Sequence, residues 1–307
     1  MLVREKYGEP ITISQRDVEN YHSDKHYEGS VLNTVNAAMR LHEKQSAEQD
    51  VKYGDLPWIE LHDMFEFRGS EVTMWSAESN VGKSFLVGFI QQHLAMQKIA
   101  SVNCSLEMPV EDTFERQVQT HHGLQRASTD EEQIEFAELA WQMLFYYDFV
   151  GYMKPIDVYK LIEYCSEKLN TKHVIIDSLM MINLSGANKF DQQKDFVATL
   201  MTLAKKFKIH VHLVTHMRKS SGHSNKRSQD DVSGAKELVN LVSNLFFLEN
   251  FEGEEEETRD KKLLSLVKQR NGRGRFKDFC LTHAPCGQYL RKSMRMETKD
   301  LARACYF

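Results

Sequence analysis

From Trp58 onward the chain alternates between two hydrophobic rhythms. Short runs rich in β-branched and aromatic residues predict strands over Glu71–Ala77, 99–105, 149–152, His173–Asp177, His210–His216, 245–249, 263–268 and 276–282. Between them, apolar residues recur at helical spacing over 83–97, 109–122, 131–145, 156–169, 190–207 and 235–244. Strand–helix alternation of this kind predicts an α/β fold, a mainly parallel sheet flanked by helices on both faces. Val174-Ile175-Ile176 is apolar at every position, as a strand covered on both faces should be. Residues 1–57 are different: polar, with one amphipathic helical stretch over 31–48. There Val31, Leu32, Val35, Ala38, Met39 and Leu41 lie near one face. The expected organisation is an N-terminal arm (1–57), a main α/β domain (58–292) and a C-terminal tail (293–307).

The first predicted strand of the domain runs into Ala77-Glu78-Ser79-Asn80-Val81-Gly82-Lys83-Ser84 and then into an apolar helix. Strand, polar turn, Gly-Lys-Ser and helix together read as a phosphate loop. Backbone N–H groups and the positive helix end would cradle a nucleoside triphosphate. Lys83 would reach the β- and γ-phosphates, and the Ser84 hydroxyl would hold Mg²⁺. The full pattern places glycine where this chain has Ala77, a residue less tolerant of positive φ. A tighter or shifted loop start is therefore expected.

In a parallel sheet, ligands bind beyond the carboxyl ends of the strands. Three such ends carry candidate groups. Glu107, in Ser105-Leu106-Glu107-Met108-Pro109, could orient and deprotonate an attacking water. By position alone it is equally an acid favoured by the dipole of a helix that Pro109 opens. Asp177 closes an apolar strand, where an acid near a phosphate loop holds Mg²⁺. His216 ends another strand and could hydrogen-bond the γ-phosphate, or simply terminate the strand. Further on, Lys268 and Arg270 share one side of a strand, either as surface cations or as a pair that neutralises transition-state charge.

Composition narrows the classes. With 307 residues, 41% of them hydrophobic, the chain can bury a sizeable core. It has no apolar run long enough to span a membrane, and its first residues lack the apolar stretch of a signal peptide. Five scattered cysteines predict a reduced, cytoplasmic setting. Cys280, His283 and Cys286 have zinc-ligand chemistry, but no fourth ligand accompanies them and they straddle a strand and a turn. Net charge is −5, so no general polyanion coat is expected. Basic residues instead gather in 217–227 (Arg218, Lys219, Lys226, Arg227) and 268–277, separated by an acidic run.

These elements, in this order, resemble the helicase domain of the DnaB family of hexameric replicative helicases, phage-type enzymes included. Ser105-Leu106-Glu107-Met108-Pro109 is similar to that family's Ser-Leu-Glu-Met-Pro element, and Lys268-Gln269-Arg270-Asn271-Gly272 to its Lys-x-Arg element. Asp231-Val232-Ser233-Gly234-Ala235 resembles its segment before the last core helix, and His216 its phosphate-sensing position. The resemblance spans about 58–290.

It implies a RecA-like core and six copies in a ring or spiral around single-stranded DNA. ATP with Mg²⁺ would lie between subunits, with Glu107 as base. Lys268 and Arg270 would come from the neighbouring subunit, and Arg116 is a further active-site candidate. It also implies DNA-gripping loops at 184–194 (Lys189) and 218–230 (Arg218, Lys219, Lys226, Arg227). Movement would be 5′→3′ on a forked duplex, with a primase or loader acting in trans, in the cytoplasm of a bacterium or phage-infected host. No primase-like region precedes residue 58, and 1–57 is short for the family's N-terminal domain, so 31–48 is expected to latch adjacent subunits. A RecA-type recombinase or annealing ATPase, and an ATP-switch loader with little turnover, share the core; Glu107 argues for turnover and Ala77 for the switch.

Overall fold

The chain divides into two units, Met1–Lys52 and Tyr53–Phe307. The computed structural model describes residues 12–13, 31–32, 34–48, 51–184, 189–216, 236–251, 260–272, 274 and 276–291. In the first unit, strand β1 (Thr12–Ile13) pairs antiparallel with β2 (Val31–Leu32), and helix α1 follows at Thr34–Glu48. The helix starts three residues later than its apolar pattern because Val31 and Leu32 are taken into the ladder.

The second unit is built on β3 (Glu71–Ala77), β4 (Ser101–Ser105), β5 (Leu144–Tyr146), β6 (His173–Asp177), β7 (His210–His216), β8 (Asn244–Asn250), β9 (Lys261–Gln269), β10 (Phe276–His283) and β11 (Tyr289–Arg291). Its helices are α2 (Lys83–Met96), α3 (Val110–His122), α4 (Asp130–Leu139), α5 (Pro155–Lys168), α6 (Lys189–Phe207) and α7 (Lys236–Leu241). The strands form one sheet in the order β11-β10-β9-β8-β3-β7-β6-β4-β5. From β8 to β5 every pairing is parallel, and β9, β10 and β11 extend it antiparallel. The expected mainly parallel α/β sheet is present.

Strand alternation sends side chains to two separate cores. Val72 and Met74 of β3 join Val174, Ile176, Val211 and Leu213 under α5, α6 and α7. Trp75 and Ala77 join Ile175, Val214 and Phe246 under α2 and the segment from Leu56 to Phe67. Tyr53 and Leu56 therefore belong with the sheet.

Local chemistry explains several boundaries. Pro109 sits at the N-cap of α3, and Gly123, with φ 69°, closes it. Thr129 and Glu132 form a capping box at α4. The helix expected over 131–145 ends at Leu139, because the chain turns at Gln142, with φ 62°, to serve a sheet edge. Ser101 N donates to Met143 O (2.8 Å) and Tyr147 N to Asn103 O (2.9 Å), so Leu144–Tyr146 becomes β5. The expected strand at 149–152 is absent, and Val150 and Tyr152 are solvent-exposed. Its β-forming composition found no partner edge, since the preceding aromatics had taken it.

The amino-end of the parallel strands is polar inside. Alternation puts Glu71, Thr73, His173, His210, His212 and Asn244 on one face, all buried, with the Phe67 ring edge-on to the three imidazoles at 5.0–5.4 Å. Trp75 Nε1, which can only donate, gives its proton to His212 Nδ1 (3.1 Å). His212 Nε2–H must then donate to His173 Nδ1 (2.8 Å), and His173 Nε2–H to Tyr53 O (2.7 Å). His210 Nδ1–H donates to Arg68 O (2.7 Å), leaving Nε2 to accept from Thr73 Oγ1 (2.8 Å). The network suits neutral rings, and burial lowers all three pKa values, His210 to about 4.

Candidate functional site

The residues singled out at 77–84, 107, 177 and 216 meet beyond the carboxyl ends of β3, β4, β6 and β7. Ala77 is the last residue of β3, paired with His216, buried and outside the positive-φ region. The expected shift at the loop start is therefore not found: left-handed backbone occurs later, at Asn80 (φ 64°) and Gly82 (φ 109°). Asn is one of the few residues with a side chain that adopt this region readily.

Lys83 opens α2, and its buried ammonium donates to Glu78 O (2.7 Å) and Ala77 O (3.2 Å). It spans the loop that Glu78, Ser79, Asn80 and Val81 form. Burial lowers its pKa, while Asp177 and Glu107 oppose that shift. Asp177 ends β6 and accepts a hydrogen bond from Ser84. Burial raises its carboxyl pKa foremost, against the pull of Ser84, Lys83 and Arg116.

Glu107 lies in the bend after β4, half-exposed. Its Oε1 accepts from Ser178 Oγ (2.7 Å) and stands 4.0 Å from His216 Nε2. His216 Nδ1 lies 3.4 Å from Ser79 Oγ, so one imidazole bridges the phosphate loop and the acid. Burial and then Lys83 lower its pKa, so this ring is neutral near pH 7. Arg116, on α3, lays its guanidinium 4.8 Å over the Phe85 ring. It lines a cleft open to solvent with Ser84, Asn103, Gln117 and Asp177.

Lys268 and Arg270 do not join this group. Lys268 Nζ donates to the carbonyls of Val239 (2.6 Å), Val242 (2.8 Å) and Asn240 (3.0 Å). Arg270 Nη2 donates to those of Asn240 (2.7 Å) and Leu241 (3.2 Å). Both cations thus cap the C-terminus of α7, where its dipole is negative. Burial and the Arg270 charge pull the Lys268 pKa down to about 8. Arg270 N bonds Ser243 O, and Ser243 N bonds Val72 O, which sets Arg270 level with the start of β3. Ala77 is five residues further along that strand, roughly 17 Å at ~3.3 Å per residue. Next to Arg270, Asn271 donates to buried Glu71 (2.7 Å), whose other oxygen accepts from Asn244 (2.8 Å).

The expected loop at 184–194 is helical from Lys189 onward, because Lys189–Phe207 forms α6. Its apolar residues Phe196, Val197 and Leu200 pack on the sheet. Lys194 pairs with Glu237 (3.7 Å) and Asp191 (3.9 Å). The Lys189 side chain, Arg218, Lys219, Lys226 and Arg227, the segment 231–235 and the tail from 293 all lie outside the described residues. Among the described residues no three His, Cys, Asp or Glu side chains could hold a metal together, which removes the Cys280–His283–Cys286 candidate. Nor is any described helix long and apolar enough to cross a membrane.

The sequence reading missed Ser178 and Tyr289. Ser178 had a signal, as the residue directly after the strand-end acid. Tyr289 had none, since β11 is only three residues long.

Similarity to known proteins agrees with this geometry. No curated protein matches the chain. Among solved structures, one ATPase domain superposes with a TM-score of 0.70 at 14% identity, covering 84% of this chain and 98% of that one. A DnaB-like replicative helicase, solved in a study of its interactions with primase, superposes with a TM-score of 0.71 at 15% identity. That match covers 84% of this chain and 68% of the other. At such identities the likeness is one of fold, the mainly parallel sheet flanked by helices. A family model described as the AAA domain matches residues 66–222, from just before β3 to just past β7. The phosphate loop, Glu107, Asp177 and His216 all fall inside that match, and the chain belongs to the AAA domain family.

Proposed function

We propose that this chain is an ATP-hydrolysing DNA helicase of the DnaB kind, whose ATP sites are completed by a neighbouring copy. One observation carries the reading. Lysine, hydroxyl, acid and imidazole converge at one end of the sheet, while Lys268 and Arg270 stand at the opposite end, out of reach of their own phosphate loop. A ring or spiral of six copies would bring the second group of one subunit to the first group of the next.

In that assembly Lys83 exchanges its bonds to the loop carbonyls for the β- and γ-phosphate oxygens. Ser84 and Asp177 suit Mg²⁺, since a buried carboxylate beside a hydroxyl gains from a nearby cation. Bound there, the ion would offset charge on the phosphate oxygens. Glu107 orients the attacking water and takes its proton. His216, neutral and touching both the loop and Glu107, senses whether the γ-phosphate is present. Arg116 is placed to add positive charge beside Asp177. Arg270, with Lys268, offsets transition-state charge across the interface. The basic residues Lys189, Arg218, Lys219, Lys226 and Arg227 grip single-stranded DNA, and sequential hydrolysis moves the strand 5′→3′ through the channel while displacing its complement from a fork. The setting is the cytoplasm of a bacterium or an infected host cell, with primase or loader supplied in trans.

The test is ATP hydrolysis with and without single-stranded DNA, for wild type and Glu107→Gln. DNA-stimulated turnover that Glu107→Gln removes, with nucleotide still bound, supports a motor. Bound ATP with no turnover in the wild type would favour an ATP-switch loader instead.

A further inference from the structure

The phosphate loop is held from a strand far away in sequence. Tyr289 of β11 is buried, and its hydroxyl donates to Gly82 O (2.7 Å). The same carbonyl accepts from Leu86 N (2.9 Å), the first turn of α2. A side chain at position 82 would place its Cβ 2.3 Å from Tyr289 Oη, so glycine is required there for space as well as for φ 109°.

The tyrosine is itself braced. The His283 imidazole stacks on its ring (4.7 Å, 20°), and Trp58 Nε1 donates to its backbone oxygen (2.9 Å). The turn between β10 and β11 is tied to α3, since Gln288 Nε2 donates to Thr120 O (2.7 Å) and Thr120 Oγ1 lies 3.0 Å from Cys286 O.

A peptide group is planar, and its C=O and N–H point in opposite directions. The peptide after Gly82 carries the Lys83 N–H. Engaging Gly82 O from two sides therefore fixes where the Lys83 N–H points. In a phosphate loop that N–H is one of the donors to the ligand. We infer that Tyr289 is a positioning residue for nucleotide binding: by holding Gly82 O, it keeps the Lys83 N–H aimed into the phosphate cradle. The hairpin β10–β11 is thereby tied to the phosphate loop through the backbone of Gly82. The inference rests on the phosphate-loop reading above.

The test is equilibrium binding of a fluorescent ADP analogue to the full chain with Mg²⁺, scored for both Kd and the fraction of competent sites. Tyr289→Phe keeps the ring and removes only the donor. A lost hydrogen bond of ordinary strength predicts a Kd raised about fivefold, with the fraction of sites unchanged. An unchanged Kd, or fewer sites at wild-type Kd, overturns the inference, since the latter is what simple unfolding gives. A second comparison guards against misfolding. Gly82→Ala weakens binding through the clash with Oη, and adding Tyr289→Phe relieves that clash, because the next atom, Cζ, is 3.6 Å away. Partial recovery in the double variant supports the contact, and additive losses contradict it. Lys83→Ala separates the two levels of argument. Binding that survives it removes the phosphate-loop reading and this inference together. Binding lost in Lys83→Ala but untouched in Tyr289→Phe removes the inference alone.

Discussion

Lowering the pH should destabilise this protein through three histidines at the base of its sheet, and their burial sets the size of the effect. His173, His210 and His212 are fully buried, and their partners suit neutral rings. Glu71 and Arg68 are the charges that act on His210, the acid raising its pKa and the guanidinium lowering it, but burial outweighs both. Its native pKa is about 4, against 6.5 for an unperturbed ring.

Because the folded value is depressed, the unfolded chain binds more protons below pH 6.5. Stability is therefore full above that pH and falls as pH drops towards 4. At pH 5 an unfolded histidine is almost fully charged while native His210 is not. Over the roughly 1.5 pH units from 6.5 down to 5, that gap costs ~2 kcal/mol for this ring. His173 and His212, also lowered well below 6.5 by burial, add to the loss in the same direction. A single ring at ~2 kcal/mol is already a large fraction of the stability of many domains.

Urea unfolding at pH 7.5 and pH 5 measures this directly, and His210→Gln isolates one ring. The variant should lose about 2 kcal/mol of the pH dependence, whatever its stability at pH 7.5. A wild-type difference below about 1 kcal/mol, or an equal difference in the variant, would show that these rings titrate normally and that the neutral network is wrong.

Three further outcomes follow from the site. Asp177→Asn should keep the fold, since it relieves a buried acid, yet reduce hydrolysis by about 10²-fold or more at saturating ATP, as removal of a magnesium-holding charge requires; steady-state kinetics over a magnesium titration measures it. Arg270→Ala should abolish turnover alone but regain part of it when mixed with Lys83→Ala subunits, because each variant keeps the half-site the other lacks; mixtures that stay inactive at every ratio would count against a composite site. Replacing Lys219, Lys226 and Arg227 together with Gln should weaken single-stranded DNA binding and flatten its dependence on log salt by about two units of slope, at ~0.7 per phosphate contact; an unchanged slope would remove them from the DNA path.

Much of the chemistry was legible because it is local. Strand, loop, Gly82, Lys83 and Ser84 are contiguous, and a strand-end acid such as Asp177 is placed by its own strand. Parallel-sheet topology then requires strand ends to share one edge, so Glu107, Asp177 and His216 could be grouped without coordinates. The apolar run of β6, buried on both faces, settled its bounds for the same reason.

What stayed illegible depends on pairing across long separations. Residues 144–147 and 149–152 have similar strand composition, and only the free edge of β4 decided which became β5. Alanine at position 77 looked like a defect in the loop, and the register with β7 made it an ordinary strand residue. Histidines at 173, 210 and 212 come together on one buried face only through the pairing of β6 with β7. The Tyr289–Gly82 bond joins residues 207 apart in sequence. Hydrophobic periodicity is a property of neighbours along the chain, whereas these contacts arise from strand order and register, which exist only once the sheet has formed.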